Sequence, residues 1–120
     1  MAKKILIMVT HADENPEKAT LPFVMANTAL ASDVEVVLAL QSMAVYLAMK
    51  NYAKHVKAEG FPPLQDLINS MLKFGGKLYI CGPCIKARNI SPEDLIEEAT
   101  IINAPALVNE MIEADATLNY

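Results

Sequence analysis

Apolar residues fall along the chain in two alternating rhythms: short unbroken runs, and longer stretches that return every three to four positions. Residues 3–9 end in Ile5-Leu6-Ile7-Met8-Val9, the pattern of a strand buried on both faces, as in a parallel sheet. Residues 33–40 repeat it with Val34, Val36, Val37 and Leu38 as β-formers. Residues 78–80, 100–102 and 116–120 read as shorter strands. After the first run, Asn15-Pro16-Glu17 supplies a cap, a proline at the first helical position and an acidic first turn. Leu21, Val24, Met25 and Thr28 then recur at helical spacing, with Pro22 predicting a kink or a later start. Residues 41–52 read as an irregular helix carrying Met43, Val45, Tyr46, Leu47 and Met49, and residues 53–63 as the least ordered stretch. Leu64, Leu67, Ile68, Met71 and Leu72 form the clearest amphipathic helix, closed by Gly75. Ser91-Pro92-Glu93-Asp94 signals another helix start, with Leu95, Ile96 and Ala99 as its apolar face. Asn103 caps a last helix through Asp115, carrying Leu107, Val108, Met111 and Ile112. Strands alternating with helices predict a parallel α/β sheet.

Composition narrows the function classes. A chain of 120 residues is expected to form one domain that buries a core without metals or disulfide staples. Ten Lys and Arg are scattered in a chain of net charge −4, which leaves no electrostatic footprint for nucleic acid. The charged opening followed by an apolar run superficially resembles a signal peptide, but His11 and Asp13 interrupt it and no small-residue cleavage site follows. With no apolar stretch long enough to cross a membrane, the expectation is a soluble, cytoplasmic protein. Hydrophobic content of 53%, with seven Met and no Trp, is rich for so small a monomer. Surplus apolar surface points to a homo-oligomer.

The candidate chemistry lies in Leu78-Tyr79-Ile80-Cys81-Gly82-Pro83-Cys84, which holds the two cysteines of the chain. In a reducing compartment a C-x-x-C is more often catalytic or metal-binding than structural. Cys81 ends a strand, where sites collect in an open parallel sheet. A helix starting just beyond it would stabilise a thiolate, and Lys86 and Arg88 stand nearby in sequence. Cys84 reads either as a resolving partner that closes a disulfide with Cys81 or as a helix residue facing the interior. Thr10, His11 and Asp13 after the first strand, and Gln41 and Ser42 after the second, belong to the same edge. His11 is a weaker candidate, as a general base or as a partner that lowers the Cys81 pKa, against the plainer reading of a solvated loop histidine. His55 reads as exposed. Zinc would need four ligands and the cysteines supply two, and Asp13, Glu14 and Glu17 read as a helix-start bias. Neither a metal nor a cofactor is expected.

C-G-P-C is the active-site tetrapeptide of thioredoxins. The surroundings differ: no Trp precedes Cys81, the motif lies two-thirds of the way along, and residues 89–92 cut the following helix short. A broader resemblance covers nearly the whole chain. It runs through the opening strand, the helix at residues 16–31, Val45-Tyr46-Leu47-Ala48 and residues 63–72. It continues through residues 76–90 around the cysteines, then residues 94–108 and Glu113-Ala114-Asp115. In their order and spacing these resemble the DsrE/DsrF-like family of small sulfur-relay proteins. The resemblance implies one domain over residues 1–120, an α/β fold with a mainly parallel five-stranded sheet flanked by helices on both faces, assembled as homotrimers or homohexamers. In relay members a cysteine after the later central strand carries a persulfide between donor and acceptor proteins, and Cys81 falls on that position. Asn89 stands where many relatives carry glycine. Three functions follow as expectations: a persulfide carrier using Cys81, a thiol-disulfide oxidoreductase cycling Cys81 with Cys84, or a non-catalytic oligomeric binding module.

Overall fold

The computed structural model describes residues 3–120; Met1 and Ala2, part of the signal-peptide-like opening, lie outside the described residues. Five strands form one sheet in the order β4-β3-β2-β1-β5, with β1 at Lys4–Val9, β2 at Glu35–Leu40, β3 at Lys77–Cys81, β4 at Ala99–Ile102 and β5 at Ala116–Asn119. Every neighbouring pair is parallel. The helices are α1 (Pro16–Ala31), α2 (Leu64–Lys73), α3 (Gly82–Ala87) and α4 (Ala104–Glu113). The parallel sheet with helices on both faces is the architecture that the strand and helix rhythm and the resemblance imply.

Side chains alternate across the pleat, so each apolar strand feeds two cores. Ile7, Val9, Val36, Leu38, Leu40, Leu78 and Ile80 point to one face, where Phe23 of α1 and Leu64, Ile68 and Met71 of α2 cover them. Leu6, Met8, Val37 and Ala39 point to the other, against Tyr79 and against Leu107 and Ala114 at α4. The first face is thick and the second thin. Polar contacts hold α4 in place: the Lys4 ammonium lies 2.7 Å from Glu110 and 3.4 Å from Glu113, and the Lys4 backbone N–H donates to Asp115 at 2.8 Å.

Three helices end in the same way. After α1, Asp33 takes a φ of +61°, and Val34 N–H donates to Ala29 O at 3.0 Å. After α2, Gly75 takes +95°, and Gly76 N–H donates to Met71 O at 2.9 Å. After α3, Asn89 takes +56°, and Ile90 N–H donates to Ile85 O at 3.0 Å. Each is a Schellman turn, in which one left-handed residue lets the chain satisfy the last carbonyls and leave the helix. Glycine is the usual residue there and asparagine a recurrent substitute, which accounts for Asn89 at this position.

Several expectations are corrected. Pro22 does not divide α1, which runs unbroken from its Asn15 cap. The buried face of α1 is Ala19, Thr20, Pro22, Phe23 and Ala26, whereas Met25 is exposed. Small alanines let the helix approach the sheet with Phe23 as the wedge, a face that counting large apolar residues misses. The second strand starts at Glu35 because Asp33 is spent on the helix cap. The helix predicted from Ser91 is one 3-10 turn, Pro92–Asp94. Beyond it, backbone bonds tie the chain to the segment after β2: Lys50 N–H donates to Asp94 O at 2.9 Å, and Ile96 N–H to Ala48 O at 2.9 Å. Residues 53–63 are better packed than their composition suggests, with Ala53, Val56 and Ala58 buried.

Candidate functional site

The site is built by the carboxyl ends of β2, β3 and β4. The turn at Gly75 and Gly76 aims β3 into the sheet between β2 and β4, and Cys81 is its last residue, in register with Ile102. Cys81 also caps α3: its Sγ accepts the Cys84 N–H at 3.3 Å. Pro83 lies in the first turn of α3, where a missing N–H breaks no helical bond. One turn of helix thus folds Cys84 back over Cys81. The two are paired as a disulfide, with Cα atoms 5.3 Å apart. The Cys84 side chain also packs at the margin of the main core, so its position fits both readings, a partner for Cys81 and a helix residue facing the interior.

The segment after β2 completes the site. It is a 3-10 helix, Ser42–Ala48, whose first residue holds a φ of +54°. That left-handed conformation is unfavourable for a serine, and such residues gather at functional sites. It aims the Ser42 N–H at Cys84 Sγ, 3.4 Å away. Arg88 Nη1 donates to the Cys84 carbonyl at 3.2 Å, which ties its charge to the turn's backbone. Lys86 is exposed.

The chain leaves β3 toward the main core, where Ile85 of α3 is buried, and leaves β4 toward the thin side through α4. Connections that part to opposite faces open a crevice at the strand ends. A cavity of about 150 Å³ lies there, walled by Leu40, Cys81, Ile102, Leu107 and Met111, with Gln41 and Asn103 at its polar edge. The α4 wall was not anticipated from the sequence; the helical spacing of Leu107 and Met111 was the available signal.

His11 lies on the loop after β1 at the same edge, but its partner is Glu14, with Nδ1 and Oε2 2.7 Å apart. That hydrogen bond holds the Glu14 carboxyl below the usual range, assisted by the Ala12 N–H and opposed by partial burial. Asp13 accepts the Tyr52 hydroxyl. Burial first, and then this aspartate, push the Tyr52 phenol well above its ordinary value. Tyr52 stacks on Tyr46 at 5.6 Å between ring centroids. Asp13 thus ties the loop after β1 to the segment after β2, and among the described hydrogen bonds His11 reaches neither cysteine. His55 is exposed. No cluster of three or more His, Cys, Asp or Glu among the described residues could hold a metal ion, and no helix among them is long and apolar enough to cross a membrane.

A parallel α/β sheet that presents two adjacent cysteines at its carboxyl edge defines a thiol-bearing class of small α/β protein. Within it, the chain belongs to the DsrE/DsrF-like family, whose model matches residues 3–120. It is similar to the uncharacterised protein MJ0989 of Methanocaldococcus jannaschii, with 30% identity over 98% of this chain and 99% of that one. It also matches the uncharacterised protein MJ0760 of the same organism at 33% identity over 88% of this chain, which spans 38% of that longer relative. Among solved structures, the ychN protein from E. coli superposes with a TM-score of 0.83 at 22% identity, covering 98% of this chain and 99% of that one. That likeness shows the fold.

Proposed function

We propose that this protein is a sulfur carrier that holds sulfane sulfur as a persulfide on Cys81. The observation that carries the reading is the placement of Cys81, half-buried at the carboxyl end of β3 and facing an apolar cavity; the family resemblance adds the expectation that this cysteine is the one that carries the persulfide. A thiolate there attacks the sulfane sulfur of a donor, and a partner's cysteine takes it away. Gln41 and Ser42, after β2, border the site. No metal or organic cofactor is needed, and the partners are donor and acceptor proteins in the cytoplasm. To test this, the Cys84→Ser chain is exposed to inorganic polysulfide, desalted and treated with cyanide. Release of roughly one thiocyanate per chain is expected, with none from the Cys81→Ser, Cys84→Ser double variant; release that does not depend on Cys81 would overturn the reading.

The observed pairing of Cys81 with Cys84 favours a second reading, a thiol-disulfide oxidoreductase. That activity would require both cysteines, whereas sulfur loading requires Cys81 alone.

The carrier is a homo-oligomer, a trimer or a hexamer, assembled through the thin side of the sheet. Val108, Met111 and Ile112 on α4 are 50%, 42% and 76% exposed. Apolar surface of this kind marks a contact site. Light scattering should give a multiple of the chain mass for the wild type and the chain mass for Val108→Glu, Ile112→Lys. A monomeric wild type would refute the assembly.

A further inference from the structure

We infer that Cys84 discharges the persulfide of Cys81 as hydrosulfide, so that the protein's default product is sulfide rather than stored sulfane sulfur. The inference rests on the carrier reading and adds an outcome to it. The structure brings the two sulfurs into bonding contact across one turn. A persulfide on Cys81 has two sulfurs open to attack. The outer one is the atom a partner's thiolate would take. The inner one is Cys81 Sγ, the atom that Cys84 Sγ already reaches.

The step balances within the chain. The Cys84 thiol gives its proton to solvent, and its thiolate attacks Cys81 Sγ. The Cys81–Cys84 sulfur bond forms, the bond between Cys81 Sγ and the outer sulfur breaks, and the outer sulfur leaves as HS⁻. The sulfane sulfur is reduced to sulfide while the two cysteines are oxidised to the disulfide. A dithiol reductant, small or protein-borne, then returns the pair to thiols. The surroundings assist this direction. The Ser42 N–H, 3.4 Å from Cys84 Sγ, supplies a hydrogen bond that strengthens when that sulfur carries charge. The Cys84 N–H is 3.3 Å from Cys81 Sγ and so orients the sulfur under attack. Because both groups sit on one rigid turn, the attack is intramolecular and carries a large effective concentration. An acceptor protein obtains the sulfur only by reacting before Cys84 does.

The test compares reduced wild type with Cys84→Ser and Cys84→Ala. Each is loaded anaerobically with inorganic polysulfide under mildly acidic conditions, desalted and shifted to neutral pH. Wild type should release one sulfide per chain and end two hydrogens lighter than its reduced form. Both variants should keep the added sulfur at least about ten-fold longer. Wild type that holds its sulfur as long as the variants would overturn the inference and leave the carrier reading standing. Variants that take up no sulfur would sink the carrier reading, and the inference with it.

Discussion

Replacing Phe23 with alanine should lower the free energy of unfolding by about 3–5 kcal/mol, the range for deleting a fully buried aromatic ring. Phe23 is 0% exposed and is the largest side chain that α1 sends into the main core. Its neighbours on that face, Ala19, Thr20, Pro22 and Ala26, are all small or stiff and cannot close the gap. The Asn27 side chain donates to Phe23 O at 2.9 Å and to Leu67 O at 3.0 Å. These bonds pin α1 to α2 and limit how far the helices can collapse into the void. Thermal unfolding should shift down by roughly 10–20 °C for a chain of this size. A loss below about 1 kcal/mol would mean that the core repacks more freely than this arrangement allows.

Gly76→Ala should destabilise by about 1–3 kcal/mol through overpacking. A Cβ at Gly76 would stand 2.5 Å from Met71 Cγ and 3.1 Å from Met71 O. Met71 is 0% exposed, so its side chain would have to give way inside the core rather than into solvent. Gly75 makes the contrast. Its surroundings are open, but its φ of +95° makes alanine there a backbone problem of about 1 kcal/mol. The two mechanisms separate in a double-mutant cycle. Shortening Met71 to alanine should relieve part of the Gly76→Ala loss and leave the Gly75→Ala loss unchanged. Strict additivity at Gly76 would contradict the packing account. The position matters because Gly76 opens the strand that ends in Cys81.

How far the site was legible in the sequence depends on the kind of signal each part carries. Unbroken apolar runs report burial on two faces, so β1, β2 and their parallel arrangement were visible. Cys81 and Cys84 were visible because Gly82-Pro83 between two thiols after a strand leaves few conformations open. The face of α1 was not, because alanines carry little weight in an apolar pattern and Pro22 suggested a break. The segment from Ser91 was misjudged because its cap residues are those of a helix, while Leu95 and Ile96 gain more by packing and bonding against the chain after β2. The crevice wall escaped because it depends on α4 crossing to the opposite face of the sheet from α3, and topology is not written in local spacing. The donor at Ser42 depends on a positive φ that no serine advertises.

The most direct test of the carrier at Cys81 is intact-mass spectrometry of the Cys84→Ser chain after brief exposure to a sulfane donor, with alkylation and peptide mapping to place the added atom. The account predicts a gain of one sulfur atom, located on the peptide that contains Cys81 and absent when Cys81 is also replaced. An unchanged mass, or sulfur mapped elsewhere, would contradict it and leave a DsrE/DsrF-like fold whose cysteines serve another purpose.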